Sequence, residues 1–407
     1  MTSGSMRQRG VTRRVQKVAL TVPLALIVAV GCSGPKVRNA PPASIATKPW
    51  GNRDAADTYQ DADTITVSGL STALQGADPV RPADKPLNIL CVSGGGKYAA
   101  FTAGALTGWT STGTRPTFDI ATGVSSGAPT AVLGFLGSKY DRLLSETFVN
   151  LKRSDVFHWR PVRGLVTGSG LMTARPLEDI FEKQLTDDLL ADLRAAHSEG
   201  RRLFIATSNV LTRRLVIWDL GAIASSGRPD AAVLVRKVLL ASCSIPALVP
   251  PVQFDVTVNG THYTELHADA GGTAQTFVRT AGPVPPGSAV WLLSSGKSYP
   301  DGGDNRPRIW SAMFHAVSSA LYSLFRADTI KLFAFCNATK SQFHLLALPE
   351  DFKGKASSIV FDPSESQRMY MVGYQLAVAG AWQTRPPDTG PGEAPPPRSG
   401  FDFVTPE

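Results

Sequence analysis

The sequence predicts an α/β fold, a three-layer α/β/α sandwich around a mostly parallel central sheet. Between residues 87 and 382, short apolar segments typical of strands alternate with longer segments typical of helices. Such alternation is the pattern of strand-helix-strand units, whose helices cover both faces of a sheet. This stretch of about 300 residues is also long enough to enclose one hydrophobic core.

The predicted elements follow one another along this stretch. Leu87–Ser93 is mostly apolar and is expected to be a buried strand, and the alternating segment from Thr261 to His267 also has the pattern of a strand. The other predicted strands are Phe118–Thr122, Leu203–Asn209, Arg214–Asp219, Ala289–Ser295 and Gln342–Leu348. Helices are predicted at Lys97–Thr110, Leu177–Ala196, Asp230–Ser242, Pro307–Lys331 and Pro363–Trp382. The second of these helices is rich in charge and is expected to present a solvated face.

Three consecutive glycines, Gly94, Gly95 and Gly96, connect the first strand to the first helix. Such a loop leaves backbone N–H groups uncovered at the positive end of a helix dipole, where they suit an anion. The anion could be a phosphate group or the oxyanion of a tetrahedral acyl intermediate. The loop lacks the Gly-Lys-Ser/Thr ending of a P-loop, and Ala99 stands at the last glycine of a dinucleotide-binding fingerprint. A turn that serves only helix–strand packing is the remaining interpretation.

Residues 123–127, Gly-Val-Ser-Ser-Gly, join a predicted strand to a helix-forming stretch. A serine at the tip of so sharp a turn is exposed to substrate, and the positions two before and two after it must lack bulky side chains. Ser125 has Gly123 and Gly127 at those positions, whereas Ser126 has larger residues at both. Ser125 is therefore the predicted nucleophile.

A serine nucleophile needs a base, and either a histidine or a carboxylate can serve. The six histidines stand in no setting typical of a catalytic triad, and His267 and His315 are the least unsuited. Two aspartates precede glycine-rich turns. Asp269 follows a predicted strand that would hold its backbone firmly, whereas Asp301 lies in a solvated loop rich in Pro and Gly. Because catalysis requires precise positioning, Asp269 is the predicted base of a Ser-Asp dyad.

Taken in order, the Gly94–Gly96 loop, the Ser125 turn and the Asp269 turn resemble the motifs of patatin-like phospholipases. A fourth match is residues 241–251, Ala-Ser-Cys-Ser-Ile-Pro-Ala-Leu-Val-Pro-Pro, which resemble that family's Ala-Ser-x-x-x-Pro-x-x-x-Pro segment. The resemblance is well supported by motifs over residues 87–272 and extends loosely to Trp382. The ordered set of four motifs is much more specific than any one of them.

The resemblance implies a patatin-like fold and a serine acyl hydrolase of the phospholipase A or lipid esterase type. Ser125 would attack the acyl ester, Asp269 would accept its proton, and N–H groups of the Gly94–Gly96 loop would hold the oxyanion. No metal or organic cofactor is implied. Two positions depart from the family pattern: Ala99 replaces a glycine after the loop, and Ala270 replaces the glycine that usually follows the aspartate.

The amino terminus predicts export. Five basic residues at positions 7–17 precede an uncharged apolar run, Val18 to Val30, that has the layout of a secretory signal and is too short for a comfortable transmembrane helix. The run ends at Gly31-Cys32-Ser33, which resembles a bacterial lipoprotein signal. Residues 1–31 are thus the expected signal peptide and Cys32 the lipidated first mature residue. The expected location is the cell envelope, on the periplasmic side of an outer membrane; plain secretion and an uncleaved anchor are the alternatives.

The mature chain divides into three expected parts: a tether and irregular segment at 33–86, the acyl hydrolase domain at 87–382, and a disordered Pro/Gly-rich tail at 383–407. The net charge of +8 falls to about +3 without residues 1–31, which carry five basic and no acidic side chains. With no basic stripe interleaved with aromatics, a nucleic-acid partner is not expected. The expected partners are a lipid or ester substrate and a membrane.

The cysteines left after Cys32 do not predict a metal site. Cys91, Cys243 and Cys336 have no spacing typical of zinc ligands, and Cys91 lies in a core strand. A disulfide between two of the three stays open at this point. Two other functions also stay open: a non-catalytic lipid-binding lipoprotein of the cell envelope, and an esterase with a Ser-His-Asp triad.

Overall fold

A computed structural model of the chain describes residues 39–40, 85–160, 171–258, 260–280, 283–301, 309–355 and 357–387. The expected signal peptide at residues 1–31, the lipidation site Cys32, and most of the predicted tether and tail lie outside the described residues.

The described residues contain ten strands and ten helices. The strands are β1 (Asn88–Val92), β2 (Ile120–Val124), β3 (His158–Trp159), β4 (Met172–Thr173), β5 (Arg202–Asn209), β6 (Arg214–Asp219), β7 (Val252–Val258), β8 (Thr261–Asp269), β9 (Ala289–Leu293) and β10 (Gln342–Leu346). The helices are α1 (Ala99–Ser111), α2 (Gly127–Leu136), α3 (Asp141–Val149), α4 (Arg153–Val156), α5 (Arg175–Gln184), α6 (Asp187–Ser198), α7 (Leu220–Ala224), α8 (Ala231–Ser242), α9 (Ile309–Thr339) and α10 (Pro363–Val378).

Eight of the strands form one sheet in the order β10-β9-β1-β2-β5-β8-β7, with β6 on the other edge of β5. The strands from β10 to β5 run parallel to one another, and β6, β8 and β7 are antiparallel to their neighbours. The prediction of a mostly parallel central sheet in an α/β fold is therefore confirmed. β3 and β4 form a separate two-stranded ribbon.

Helices cover both faces of the sheet, so the three layers are present. Side chains of β1 alternate between the two faces: Leu90 packs in one cluster with Leu106 of α1, and Ile89 packs in the other with Phe335 of α9. The first cluster also takes in α2, α3, α5, α6, α8 and α10. The long helix α9 covers much of the second face. Because both faces are buried, β1 reads as an almost continuous apolar run in the sequence.

Strand β5 sets the relative position of two functional segments. Its first half pairs with β2, and Val124 lies opposite Ala206. One residue further along, Thr207 lies opposite Asp269, because β8 takes over the edge of β5 where β2 ends. The carboxyl end of β2 and the carboxyl end of β8 therefore meet side by side, and Ser125 is the first residue after that end of β2.

Three sequence predictions need correction. The single helix predicted at 177–196 is two helices, α5 and α6, because the side chain of Thr186 caps a new helix by accepting the N–H of Leu189 at 3.3 Å. Strand β7 was not predicted, although it forms the edge of the sheet. Gln383, placed in the predicted disordered tail, forms a two-way backbone bridge with Leu345 of β10.

The three described cysteines, Cys91, Cys243 and Cys336, are free and buried, so none of them forms the disulfide that the sequence left open. Their burial raises the pKa of Cys91 and Cys336 to about 12. These thiols are therefore small apolar groups of the core. Among the described helices, none is long and apolar enough to cross a membrane.

Candidate active site

Ser125 stands on the sharp turn between β2 and α2. Its φ of +53° lies in the left-handed region, which side chains other than glycine rarely adopt and which commonly marks functional turns. The Ser125 N–H donates to Oγ of Ser242 at 3.0 Å, and its carbonyl oxygen accepts the N–H of Ala128 at 2.8 Å. These two bonds hold the strained backbone in place.

The glycines that bracket Ser125 are required by close backbone approach. A Cβ at Gly123 would lie 2.7 Å from Cα of Ala128, and a Cβ at Gly127 would lie 2.4 Å from the carbonyl oxygen of Ser93. Both distances are too short for any side chain, so the turn tolerates only glycine at these positions. The structural reason for this spacing agrees with the one that singled out Ser125 in the sequence.

Asp269 lies directly beside Ser125. The Ser125 hydroxyl donates to Oδ2 of Asp269 at 2.5 Å, and the N–H of Gly271 donates to Oδ1 at 2.7 Å. The carboxylate is almost fully buried, with 6% of the residue exposed. Burial raises the pKa of Asp269 to about 6, although the bonds from Ser125 and Gly271 favour its charged form. A carboxylate with a pKa close to neutral is well matched to accepting and returning a proton.

The segment 241–251 connects the two members of this pair. Besides the bond from Ser125 to Ser242, the Cys243 thiol donates to the carbonyl oxygen of Ser125 at 3.3 Å. The carbonyl oxygen of Ser244 accepts the N–H of Asp269 at 2.9 Å. Three successive residues at the end of α8 thus fix the backbones of both Ser125 and Asp269. In the sequence this segment carried only a family resemblance, and no local signal indicated these contacts.

The glycine loop packs against the serine, but its three glycines are not equivalent. The N–H of Gly94 donates to the carbonyl oxygen of Gln275 at 3.0 Å, so it is not free to hold an oxyanion. This corrects the expectation that all three glycines serve as donors. Within the residues that the structure describes, the N–H groups of Gly95 and Gly96 make no hydrogen bond. A Cβ on Gly94 would lie 3.2 Å from Cβ of Ser125, which shows how closely the loop approaches the turn.

Gln275 ties the glycine loop to the aspartate turn. Its carbonyl oxygen accepts the N–H of Gly94, and its side-chain amide donates to the carbonyl oxygen of Gly271 at 2.5 Å. Its own N–H donates to Oδ2 of Asp328 on α9 at 2.8 Å. Sequence reasoning missed Gln275 and Asp328, because each acts through contacts with residues far away along the chain.

A buried ion pair lies immediately behind the glycine loop. Lys97, the residue after Gly96, places Nζ 2.8 Å from Oε1 of Glu365 on α10, and both side chains are almost fully buried. Lys97 Nζ also donates to the carbonyl oxygen of Lys355 at 2.6 Å, while its N–H donates to the carbonyl oxygen of Ser358 at 2.9 Å. The end of the loop is therefore fixed to α10 and the segment before it.

The alternative bases identified in the sequence lie in other surroundings. His267 is fully buried, with Nδ1 2.9 Å from Oγ1 of Thr207 and Nε2 3.0 Å from Oε2 of Glu265. His315 is exposed on α9. Asp301 lies in a segment without regular structure, as predicted, and its carboxylate accepts a hydrogen bond from Nζ of Lys297 at 2.6 Å. Only Asp269, of the acidic and basic candidates, contacts Ser125.

The described part of the chain contains no group of three or more His, Cys, Asp or Glu side chains arranged to hold a metal ion. The site thus contains a serine hydroxyl that donates to a buried carboxylate of raised pKa, and the glycine loop approaches the serine closely at Gly94. Such an arrangement can activate a hydroxyl as a nucleophile and stabilise negative charge on an oxygen beside it.

Comparison with known proteins gives distant structural similarities. The chain is similar to VipD from Legionella pneumophila (12% identity over 84% of this chain and 73% of that one, TM-score 0.37). It is similar to the type III effector ExoU, with 13% identity over 74% of this chain and 53% of that one and a TM-score of 0.37. It is also similar to human GIVD cytosolic phospholipase A2, with 12% identity over 77% of this chain and 61% of that one and a TM-score of 0.35. The chain thus spans little more than half of the last two proteins. No curated protein matches it.

The sequence itself matches a family model over more than half of its length. The model is described as patatin-like phospholipase, and it covers residues 90–308. This range includes the glycine loop, the Ser125 turn, the segment 241–251 and the Asp269 turn. The chain belongs to the patatin-like phospholipase family.

Proposed function

We propose that the protein is a serine acyl hydrolase that cleaves acyl esters of lipids, as a phospholipase A or lipid esterase. The observation that carries this proposal is the 2.5 Å hydrogen bond from the Ser125 hydroxyl to the buried carboxylate of Asp269. Membership of a phospholipase family supports lipids as the substrate class. No histidine is needed, since the carboxylate contacts the nucleophile directly.

In the first half of the reaction, Oγ of Ser125 attacks the ester carbonyl while Asp269 Oδ2 takes the hydroxyl proton. The carbonyl oxygen becomes an oxyanion. We expect the N–H groups of Gly95 and Gly96 to stabilise it, since neither makes a hydrogen bond within the described residues. Collapse of the tetrahedral intermediate breaks the bond to the alcohol oxygen. The proton on Asp269 passes to that oxygen, and the acyl group stays on Ser125.

In the second half, a water molecule attacks the acyl-enzyme and gives its proton to Asp269. The fatty acid leaves, and the proton returns to Oγ of Ser125. The surroundings of Asp269 suit both directions of transfer, because burial favours the neutral acid while the bonds from Ser125 and Gly271 favour the carboxylate. General-base assistance of this kind contributes about 10²–10⁴ in rate.

Ser126 is the obvious rival nucleophile and provides the matched control. Its hydroxyl is buried, and in the described residues it has no hydrogen-bond partner and so no base. A fluorophosphonate probe should label the wild type and Ser126→Ala, but not Ser125→Ala. Labelling that survives Ser125→Ala and disappears with Ser126→Ala would contradict the proposal.

The substrate class is tested by product analysis. The purified protein is incubated with defined phospholipids and with short-chain esters, and the released fatty acids are identified by mass spectrometry. Release of fatty acid by the wild type but not by Ser125→Ala supports an acyl hydrolase. Binding of phospholipid without any release would instead favour a non-catalytic lipid-binding lipoprotein.

We also propose that the chain is exported and anchored through lipid on Cys32, on the basis of the amino-terminal pattern alone. Several acyl chains hold a protein stably on a membrane, whereas one does so only marginally. The wild type should remain with membranes in high salt and leave them in detergent, and Cys32→Ser should accumulate as an unprocessed precursor. An intact Cys32 thiol on a soluble mature protein would point to plain secretion.

A further inference from the structure

The outer half of α9 is unusually apolar for an exposed helix. The stretch from Ile309 to Phe325 contains no Asp, Glu, Lys or Arg. Its side chains that the structure describes are largely exposed up to residue 320, including Met313 at 55% and Val317 at 59%. The inner half of the same helix is different, because Phe325, Leu332 and further residues towards its end are buried against the sheet.

The outer half extends beyond the edge of the sheet that holds Ser125. Two contacts show which part of α9 lies at this edge. Arg326 Nη1 donates to the carbonyl oxygen of Ser298 at 3.2 Å, and Asp328 accepts the N–H of Gln275 beside the glycine loop. Residues 309–321 precede these contacts, so they rise roughly 20 Å further out at 1.5 Å per residue. They therefore project past the carboxyl edge of the sheet, which is the edge at which Ser125 lies.

Two other elements bring exposed apolar side chains to the same edge. Val210 and Leu211, each 43% exposed, follow the carboxyl end of β5. Trp159, 54% exposed, lies on the β3–β4 ribbon, where Met172 donates its N–H to the carbonyl oxygen of Leu248 in the segment that holds Ser125. We name these side chains together the apolar rim: Trp159, Val210, Leu211, Met313 and Val317.

The two chain stretches that carry most of the apolar rim are basic in the sequence. Residues 206–218, which contain Val210 and Leu211, include two arginines and no acidic residue. Residues 305–327, which contain Met313 and Val317, include three arginines and no acidic residue. The guanidinium of Arg153 lies over the ring of Trp159 at 5.2 Å. Arginine beside exposed apolar and aromatic side chains suits the boundary between acyl chains and anionic head groups.

We propose that the apolar rim inserts into the surface of a lipid bilayer and so places the candidate active site against its substrate. The inference rests on the proposed function for the substrate class, and on the apolar rim itself for the surface. Its members come from three separate elements, which suits a fluid surface better than a fixed partner. The arginines of these stretches favour an anionic bilayer.

A kinetic comparison tests the proposal, with two matched control variants. Met313→Glu and Val317→Glu change the rim, whereas Val233→Glu and Val378→Glu change side chains of similar exposure, 50% and 48%, on other helices. Val233 lies nine residues before the Ser242 end of α8, and Val378 lies at the end of α10 remote from Glu365, so both are far from the active-site edge.

Each variant is assayed on vesicles of phosphatidylglycerol and phosphatidylcholine, and on a short-chain ester dissolved as monomers. We expect each rim variant to lose about tenfold to a hundredfold in activity on vesicles, since a fully buried Val or Met side chain is worth that much. Activity on the dissolved ester and the control variants should stay within about twofold of wild type. Because all variants share one amino terminus, an anchor contributes equally to each. Equal losses on both substrates, or no loss on vesicles, would overturn the proposal.

A second measurement does not depend on catalysis. A fluorescent label is attached to Met313→Cys or to Val378→Cys in the full chain carrying Ser125→Ala and Cys32→Ser, where the described native cysteines are buried. Nitroxide lipids in the vesicles should quench the label at 313 and not the label at 378. If the label at 313 is already shielded from a water-soluble quencher without vesicles, a second copy or another segment of the chain covers it, and the proposal fails. If the quenching pattern holds but the wild-type protein cleaves neither the vesicle lipids nor the dissolved ester, the proposed function fails while the lipid surface stands.

Discussion

Two buried carboxylates lie close to the glycine loop, and their partners differ. Asp269 faces a neutral hydroxyl, Oγ of Ser125, at 2.5 Å. Glu365 faces the ammonium group of Lys97 at 2.8 Å and also accepts the N–H of Lys355. Both carboxylates are almost fully removed from water. The difference between a hydroxyl and an ammonium partner decides what each carboxylate can do.

A buried carboxylate paired with a cation serves structure, because removing either partner leaves an uncompensated buried ion. A buried carboxylate beside a hydroxyl has no opposite charge to hold it ionised. Burial therefore raises its pKa, and it can exchange a proton with its neighbour. The comparison predicts that Asp269 controls rate and Glu365 controls stability.

The largest expected effect is on rate at Asp269. Asp269→Asn keeps the shape of the side chain and removes the base, so kcat should fall by about 10²–10⁴ while circular dichroism still reports a folded protein. Asp301→Asn is the matched control, since the half-exposed carboxylate of Asp301 pairs with Lys297 and not with Ser125. Small and equal losses from the two changes would return attention to the histidines.

The next effect is on stability at the Lys97–Glu365 pair. Lys97→Met and Glu365→Gln should each lower the free energy of unfolding in urea by about 3–5 kcal/mol, because each leaves one buried polar group without its partner. The double variant Lys97→Met with Glu365→Leu should recover much of that loss. If either single variant has the same free energy of unfolding as the wild type, the Lys97–Glu365 pair does not stabilise the fold and this prediction is wrong.

A smaller effect is expected at Ser242, which holds the backbone of the nucleophile. Ser242→Ala removes the acceptor for the Ser125 N–H, which costs about 1–3 kcal/mol for an unpaired buried donor. Part of this should appear as a lower rate of fluorophosphonate labelling, by about tenfold, while KM for a dissolved ester changes little. Ser244→Ala, whose backbone oxygen rather than its hydroxyl contacts Asp269, is the control. A normal labelling rate in Ser242→Ala would show that the Ser125 turn keeps its conformation without the hydrogen bond to Ser242.

Local patterns were enough to predict the parts of the site that depend on local geometry. The glycines at 123 and 127 predict a tight turn, and the strand before Asp269 predicts a carboxylate on a firmly held backbone. The pairing of these segments through β5 was not predictable, because it depends on where β8 replaces β2 along a shared edge. The sequence links Asp269 to Ser125 only through the need for a firmly held base and through family resemblance, because no spacing indicates that the two segments meet.

The remaining errors share one physical cause, which is contact over long sequence separations. The N–H of Gly94 donates to the carbonyl oxygen of Gln275, which lies 181 residues away in the chain. The run of three glycines in the sequence therefore could not show which of their N–H groups are free. The roles of Ser242 and Cys243 likewise appear only when α8 ends beside the turn. By contrast, the boundary between α5 and α6 has a local signal in the sequence. Thr186 is a capping residue and two aspartates follow it, but the many charged residues on both sides make the stretch resemble one continuous solvated helix.

The central claim is that Asp269 is the base for Ser125, and the pH dependence of fluorophosphonate labelling tests it most directly. Only the ionised carboxylate can accept the proton, and burial raises the pKa of Asp269 to about 6. The rate of Ser125 labelling should therefore rise with pH through about 6 and level off above it. Asp269→Asn should label slowly and without that inflection. An inflection that survives in Asp269→Asn would show that another group is the base and would contradict the account.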